Sequence, residues 1–435
     1  MKAFPFEQHI GLEVFFSNPL GIQGKLRTVP EDFIVKELFS YPKKEQQGPY
    51  TIAEVTSKNW ETHTLVRTLA KYLKISRKRI GFAGTKDRRA CSTQLMSFFQ
   101  TSKESLEAVS IKDVEIKNIY YAKKSIRIGE LQGNTFVIQL RALDPAVTKS
   151  QITTLLSSFE QLQGFPNFYG IQRFGVVRPI THLVGKYIIH GQFEQAVMTY
   201  IAHPLKDDKQ TYDIRKELEK TRDYKQALKE FPIGCNFEKA LCNYLVQYPD
   251  DFIGALQELP KNLLTLFVNA YQSYLFNKIL SERIRKKFPI HQALQGDIIT
   301  PLQNVSTTAD FVAVTRHNIE KINTQLQRNK AVITGLLVGS NPLFAEGEMG
   351  ELERRIIKSE QVDYRDFTIP EIPYLSSYGS RRSLVASLRQ FSWNLANDDM
   401  KEHFQKLELN FTLPKGSYAT SFLREIMKAK QATHY

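Results

Sequence analysis

The chain has 435 residues, of which 42% are hydrophobic and 24% are charged, close to the usage of ordinary globular proteins. This composition excludes a largely disordered chain and leaves room for two or three domains with cores of normal size. Lys and Arg outnumber Asp and Glu by 59 to 45, and the resulting net charge of +14 favours a polyanionic partner such as nucleic acid.

Cysteine usage and hydropathy exclude further classes. The three cysteines are widely spaced and form no C-x-x-C pair, which argues against a disulfide framework and a zinc site. No window of about 18 apolar residues predicts a membrane span. The first residues lack the pattern of a signal peptide. We therefore expect a cytoplasmic protein that binds no metal.

The first part of the chain alternates strands and helices. EDFIVKEL (31–38) and NTFVIQLRAL (134–143) alternate residue by residue, which predicts strands. TLVRTLAKYLKI (64–75) and SQITTLLSSFEQLQG (150–164) have helical spacing, and Ser150 is the expected N-cap of the second helix.

The middle of the chain has a different character. Residues 185–290 predict mainly helices, of which NLLTLFVNAYQSYLFNKILSERIRKK (262–287) is the strongest, and residues 296–345 predict short strands. The C-terminal part then returns to a strand, KLELNFTLPKG (406–416), and a closing helix, YATSFLREIMKAK (418–430). This order predicts a core domain that carries an insertion.

The segment RIGFAGTKDRRACSTQ (79–94) combines glycines, a lysine and an acid, as phosphate-binding loops do. A P-loop, however, has Lys directly after its last Gly and a hydroxyl residue after the Lys. Here Thr85 separates Gly84 from Lys86, and Asp87 stands where the hydroxyl should be and would repel phosphate. We therefore reject a nucleotide site.

Asp87 itself is the alternative functional group. The neighbouring cations Lys86 and Arg88 favour its ionised form, and we expect Gly81 and Gly84 to give the backbone the freedom for a tight loop. A loop-borne carboxylate could act as a nucleophile toward a bound polyanion. A salt-bridged surface turn explains the same residues, and the local sequence alone favours it.

The wider sequence changes this balance, because the segment GFAGTKDRRACSTQ (81–94) resembles the catalytic motif of the TruD family of tRNA pseudouridine synthases. The family pattern is A-G-x-K-D-[KR]-x-A-x-T-x-Q, and Ser92 replaces the usual Thr but keeps a hydroxyl. Five further segments resemble the family's other motifs in the same order: PEDFIVKE (30–37), GNTF (133–136), NFYGIQRFG (167–175), NAYQSYLFN (269–277) and LPKGSYATSFLRE (413–425). The chain is most similar to the longer archaeal and eukaryotic type.

The resemblance implies an α+β fold, with a mixed, mainly antiparallel sheet flanked by helices. Residues 1–175 and 377–435 would form the catalytic domain, and residues 176–376 an inserted, largely helical α/β domain. The implied activity is the isomerisation of a specific uridine, expected at position 13 of tRNA, to pseudouridine without any cofactor or metal. We expect a monomer whose partner is tRNA, with other RNAs as further candidates. The alternative is a non-catalytic RNA-binding protein or RNA chaperone on the same fold.

The resemblance also implies roles for individual residues, with Asp87 as the catalytic nucleophile. The other active-site or substrate-binding positions are Arg27, Phe33, Lys86, Asn134, Phe136 and Tyr418. Candidate RNA contacts are Arg88, Gln172, Arg173 and Lys415.

Several of these residues have structural alternatives. Phe136 could stack on the extracted uracil or be the first core residue of its strand, and Asn134 could bond the base edge, hold the Asp87 loop or be a turn residue. Arg27 could pair with Asp87 or be a solvated charge. Gln172 and its neighbour could touch RNA or belong to a packed connection.

Two features of the long helix favour structural roles. The aromatic cluster at 271–276 is expected to pack in a core. The basic residues at 283–287 are expected to form a solvated helix end.

Overall fold

The structure, a computed structural model, describes residues 1–17, 20–302, 310–431 and 434. The chain forms two compact units. The sheet unit comprises Leu20–Phe165, Ala386–Ala429 and His434–Tyr435, and the helical unit comprises Met1–Pro19, Pro166–Val385 and Lys430–Thr433. The expected catalytic and inserted domains, divided after residues 175 and 376, remain a prediction about function.

Fifteen strands occur in the described residues, and the two units share them unequally. They are β1 Lys25–Leu26, β2 Phe33–Leu38, β3 Tyr50–Lys58, β4 Ile80–Phe82, β5 Cys91–Phe99, β6 Val114–Ala122, β7 Gly133–Leu143, β8 Gly164–Pro166, β9 Ile298–Pro301, β10 Val312–Ala313, β11 Ala331–Leu337, β12 Ser380–Ser383, β13 Val385–Ser387, β14 Arg389–Asn397 and β15 Gln405–Pro414.

Fourteen α-helices occur in the same described ranges, and most of them belong to the helical unit. They are α1 Pro5–Gln8, α2 Thr62–Tyr72, α3 Lys103–Glu107, α4 Lys149–Leu162, α5 Thr181–Ile189, α6 Phe193–Ala202, α7 Tyr212–Thr221, α8 Tyr224–Glu230, α9 Asn236–Gln247, α10 Phe252–Gln257, α11 Lys261–Arg285, α12 Ile319–Gln327, α13 Gly347–Ser359 and α14 Ala419–Met427.

The sheet unit is built on a nine-stranded sheet with the order β14-β15-β7-β2-β5-β3-β6, in which β1 also pairs with β7 and β4 with β5. Strands β2 and β5 are parallel, and the other neighbouring strands of this sheet are antiparallel. The expected mixed, mainly antiparallel sheet flanked by helices is thereby confirmed.

Helices cover the two ends of one sheet face. Leu65 and Leu69 of α2 pack in a core with Val55 of β3 and Met96 of β5. Such burial stabilises the fold by about 1.5–3 kcal/mol for each large apolar side chain. The amphipathic spacing of α2 predicted that this face is apolar, because residues three or four apart lie on one side of a helix.

Aromatic packing covers the other end of the same face. The ring of Phe422 in α14 lies 5.2 Å from that of Phe411 in β15 and 5.3 Å from that of Phe159 in α4. Strands β2 and β7 lie between β5 and β15 in the sheet order. The side chains on this face of β2 and β7 therefore lie between the two sets of covering helices.

The N-cap expected for α4 was wrong by two residues. The helix begins at Lys149, and Thr148 is its N-cap. The Gln151 amide donates to the Thr148 hydroxyl, while the Gln151 side chain accepts from the Thr148 amide. This reciprocal capping box satisfies two amides at once, whereas Ser150 lies within the helix.

The helical unit has the expected helical character over residues 181–285, followed by a small sheet with the order β10-β9-β11-β12. Tyr271 and Phe276 of α11 are fully buried, which confirms that this aromatic cluster packs in a core. The end of α11 departs from expectation. Arg283 is also fully buried, and its guanidinium donates to both carboxylate oxygens of Asp297 at 2.6 and 2.8 Å. A solvated helix end was therefore the wrong prediction for Arg283.

Candidate active site

The site is organised by strand β2, whose side chains alternate between buried and exposed. Phe33, Val35 and Glu37 all face inward, and Glu37 is the one acid among them, 1% exposed. Antiparallel pairing places Glu37 opposite Asn134 of β7 and Val35 opposite Phe136. Because directly paired residues share a sheet face, these side chains lie together.

Lys86 provides the counter-charge that the buried Glu37 needs. The Lys86 ammonium forms an ion pair with Oε1 of Glu37, and the two side chains are 7% and 0% exposed. The Leu95 amide donates to the other carboxylate oxygen at 3.3 Å. An unpaired buried carboxylate would be strongly destabilising, so this pair anchors the loop that carries Lys86 onto β2.

Two further side chains fix the same loop. The side-chain amide of Gln94 donates to the Gly84 carbonyl at 2.8 Å, and the Lys86 amide donates to the Thr62 hydroxyl at 2.7 Å. The Thr62 hydroxyl in turn donates to the Gln94 side-chain carbonyl at 3.2 Å. The backbone that precedes Asp87 is therefore held at Gly84 and at the amide of Lys86.

The two glycines were expected to provide backbone freedom for the loop, but their conformations do not require glycine. Neither Gly81 nor Gly84 has the positive φ that would require a glycine, so the expected backbone freedom was wrong. Gly81 is needed for space, because a Cβ there would lie 2.3 Å from the Ile126 carbonyl oxygen. A Cβ on Gly84 would meet Leu131 at an ordinary 3.4 Å.

Asp87 points outward from this anchored loop, and its side chain is 66% exposed. Oδ2 of Asp87 accepts a hydrogen bond from Nη2 of Arg27 at 3.0 Å, so the structure pairs these two residues. The Arg27 guanidinium also lies 4.2 Å from the centroid of the Phe33 ring. Lys86, although adjacent in sequence, turns inward to Glu37, which leaves Arg27 as the cation in contact with Asp87.

Arg27 holds an uncommon backbone conformation. Its φ is +57°, in the left-handed region that residues other than glycine rarely adopt, and its side chain is only 14% exposed. Such a conformation is unfavourable by about 1 kcal/mol or more, so the surrounding structure must hold it.

The segment that follows Arg27 is held by a buried charge network. Asp32 accepts from the Val29 amide at 3.1 Å and from Nε of Arg141 at 2.6 Å, and Nη1 of Arg141 donates to Asp398 at 2.8 Å. Burial by itself would lower the pKa of Arg141, but hydrogen bonds to Asp399, Asp32 and Asp398 raise it above its usual value. Arg141 therefore remains charged and fixes the start of β2.

Two buried polar atoms at the site have no hydrogen-bond partner among the described residues: Nε of Arg27 and Oδ1 of Asn134. Unsatisfied buried polar groups are unfavourable by about 1–3 kcal/mol each, so such atoms call for an explanation. One is a donor and the other an acceptor. Each could therefore be satisfied by a complementary polar group of a bound ligand.

The aromatic residues of the site form a cluster beneath it. The Phe136 ring stacks on Phe411 at 5.2 Å and meets Phe33 edge-on at 6.0 Å, and Phe136 is 7% exposed. Phe136 is thus a core residue of its strand that reaches the surface only at its margin.

The remaining candidates of the sheet unit lie in loops. Arg88 is exposed next to Asp87. Lys415 is exposed after β15, with its amide donating to the Gln132 carbonyl at 3.0 Å. Tyr418 is half-buried and is the N-cap residue of α14.

Gln172 and Arg173 belong to the helical unit rather than to the unit that contains Asp87. Gln172 is exposed, and Nε of Arg173 donates to the Ser273 hydroxyl of α11 at 3.3 Å. Arg173 therefore belongs to a packed connection within its own unit.

Glu37 and the role of Thr62 were not predicted from the sequence. Glu37 had a detectable signal, because an acid on the inward face of an otherwise alternating strand must find a buried partner. Thr62 lies at the start of α2, and nothing in its sequence context indicates a contact with the Asp87 loop.

Within residues 1–17, 20–302, 310–431 and 434, no group of three or more His, Cys, Asp or Glu side chains is arranged to hold a metal ion. Within the same ranges, no helix combines the length and apolar character that crossing a bilayer requires.

Comparisons with known proteins agree over nearly the whole length. The sequence model of the family described as tRNA pseudouridine synthase D (TruD) matches residues 9–426. A relative from Methanococcoides burtonii, called probable tRNA pseudouridine synthase D, is 40% identical over 430 residues, covering 98% of this chain and 97% of the relative. A relative of the same name from Pyrococcus abyssi is 33% identical and covers 95% of this chain and 98% of its own. The crystal structure of a putative tRNA pseudouridine synthase D from Methanosarcina mazei superposes with a TM-score of 0.89 at 38% identity, covering all of both chains.

Proposed function

Because this chain belongs to the TruD family of tRNA pseudouridine synthases, as its motifs predicted, we propose that it isomerises a specific uridine of tRNA to pseudouridine through Asp87. The observation that carries the role of Asp87 is its geometry. An exposed carboxylate stands on a loop whose neighbouring residue is locked into a buried ion pair. A reacting group needs both access to substrate and a fixed position.

Substrate binding would begin with extraction of the uridine from the RNA. Base flipping costs a few kcal/mol of unstacking, which contacts to the extracted base must offset. Asn134 would accept a hydrogen bond from the N3–H of uracil through its unpartnered Oδ1, and Nε of Arg27 would donate to a uracil or ribose oxygen. The exposed edge of the Phe136 ring would contact the base, because one face of the ring is already covered by Phe411.

The reaction would require no other reactant. Asp87 would attack the nucleotide, either at the base or at ribose carbon 1′, and the bond between N1 of uracil and carbon 1′ would break. The uracil would turn, a bond between its carbon 5 and carbon 1′ would form, and the proton on carbon 5 would pass to solvent while N1 gains one. Asp87 leaves unchanged, so atoms and electrons balance. Because the hydrogen bond from Arg27 goes to Oδ2 of Asp87, Oδ1 would be the oxygen that attacks the substrate.

The test uses Asp87→Asn and tRNA labelled with tritium at carbon 5 of uridine. We expect tritium release to fall on the order of a thousandfold or more, because the amide cannot act as a nucleophile. Affinity for tRNA should persist, since removing one acid does not weaken phosphate contacts. Asp250→Asn, at an exposed position of the helical unit, is the matched control and should react like the unchanged protein.

The outcomes separate the alternatives. Full tritium release by Asp87→Asn would exclude Asp87 as the nucleophile. A wild-type protein that binds tRNA but releases no tritium would instead be the non-catalytic RNA-binding protein. We propose position 13 of tRNA as the target, and mapping pseudouridine in tRNA from cells that lack the protein identifies the uridine directly.

A further inference from the structure

A tight turn at residues 127–130 presents an isoleucine to solvent. The Glu130 amide donates to the Arg127 carbonyl at 3.2 Å, and Gly129 has a φ of +93°, the geometry of a type II turn. Ile128 occupies the corner of this turn and is 76% exposed. No other large apolar side chain among the described residues of the sheet unit is as exposed.

The turn is attached to the loop that carries Asp87. The Gly129 amide donates to the Ala83 carbonyl at 3.0 Å, at the start of that loop. On either side of the turn, Ile126 and Leu131 pack in one hydrophobic cluster with Ala83. These contacts therefore hold Ile128 in a fixed position next to the loop that carries Asp87.

The surroundings of Ile128 are basic. Arg127, Lys123 and Lys124 are exposed on the same segment, and the Lys415 ammonium lies 3.4 Å from the Gly129 carbonyl. The Glu130 carboxylate accepts from the Arg127 amide within the turn, at 2.9 Å. An exposed apolar side chain amid cations suits an RNA surface, where phosphates meet the cations and base faces meet the apolar group.

We propose, on the basis of the function proposed above, that Ile128 is a wedge that enters the base stack of the substrate RNA where the target uridine has left. Flipping opens an apolar gap between the neighbouring bases, and an inserted apolar side chain restores part of the lost contact. Isoleucine suits this task because branching at Cβ makes its side chain stiff. Ile128 is in this sense a positioning residue, since it touches neighbouring bases and not the reacting atoms.

The first measurement is the single-turnover rate of tritium release at saturating tRNA. Ile128→Ala should slow this rate by about tenfold to a hundredfold, because an unfilled gap removes part of the compensation for unstacking. Ile128→Val, which keeps the branching at Cβ, should keep a rate close to that of the wild type. Met400→Ala is the matched control. Met400 is 53% exposed and precedes the first residue of β15, whereas Asn134 pairs near the last residue of that strand. All three variants should melt at the wild-type temperature, since the replaced side chains are exposed.

The second measurement uses tRNA that carries 2-aminopurine next to the modified uridine. Binding to an Asp87→Asn protein should raise its fluorescence, because the inserted side chain keeps the bases on either side of the flipped uridine from stacking on each other, and adding Ile128→Ala should remove that rise. An Ile128→Ala protein with wild-type rate and fluorescence would overturn the wedge. So would a variant that loses only tRNA affinity and keeps its rate at saturation. A wild-type protein without tritium release would refute the proposed function itself, which distinguishes the two failures.

Discussion

At the residue scale, the pair of Glu37 and Lys86 determines which way the reactive loop faces. Lys86 turns inward to a fully buried carboxylate, and its neighbour Asp87 is consequently left outside with Arg27. Buried ion pairs add little net stability, because desolvation offsets most of the attraction. The value of this pair is geometric: it gives the loop a single position.

Breaking the pair from one side should therefore be severe. Lys86→Met leaves Glu37 buried without a counter-charge, and the free energy of unfolding should fall by about 3–5 kcal/mol. The double variant Glu37→Leu/Lys86→Met should recover much of this stability but not the rate of tritium release, because the loop has lost its anchor. Urea denaturation measures the stability of each.

The control for this experiment is a surface pair. Lys58 pairs with Glu31, and both side chains are about half exposed, at 44% and 49%. Lys58→Met should leave the unfolding midpoint nearly unchanged, because exposed ion pairs are well solvated. If Lys86→Met were as stable as Lys58→Met, the buried pair would not be the anchor of the loop.

At the scale of elements, strand β4 and the segment before β7 are packed backbone against backbone. Gly81 of β4 allows the approach of the Ile126 carbonyl, and Ile126 in turn leads into the turn that carries Ile128. The spacing of these elements thus sets the position of both the Asp87 loop and the proposed wedge.

The two glycines of the motif should respond differently to the same substitution. Gly81→Ala would place a Cβ 2.3 Å from the Ile126 carbonyl oxygen, so the segment before β7 must move away from β4, and we expect a loss of about 1–3 kcal/mol in stability. Gly84→Ala meets only ordinary contacts, and its stability should match that of the wild type. Thermal unfolding of the two variants provides the comparison, and equal melting temperatures would show that Gly81 is not required for space.

At the scale of the whole molecule, the net charge of +14 governs encounter with the substrate. Cations that neutralise phosphates release condensed counterions from the RNA, and this release makes affinity depend steeply on salt. Charge therefore affects binding, whereas the reaction step depends on the local geometry of Asp87.

The logarithm of the association constant for tRNA should accordingly fall linearly with the logarithm of the salt concentration. A protein that neutralises about six phosphates loses on the order of a thousandfold in affinity between ~50 and ~200 mM salt. Filter binding at several salt concentrations gives the slope, and the single-turnover rate at saturating tRNA should stay nearly constant. A flat salt dependence would contradict binding through phosphate contacts.

The sequence by itself determined the fold class, the strands near 31–38, 134–143 and 406–416, the longest helices, and the position of Asp87 within a motif of its family. These features are encoded locally, in residue periodicity and in contiguous motifs. Only the tertiary structure decided that Lys86 meets Glu37, that Arg27 meets Asp87, and that Arg283 is buried. Each of these contacts joins segments that lie apart in the chain, and periodicity carries no information about which distant segments meet.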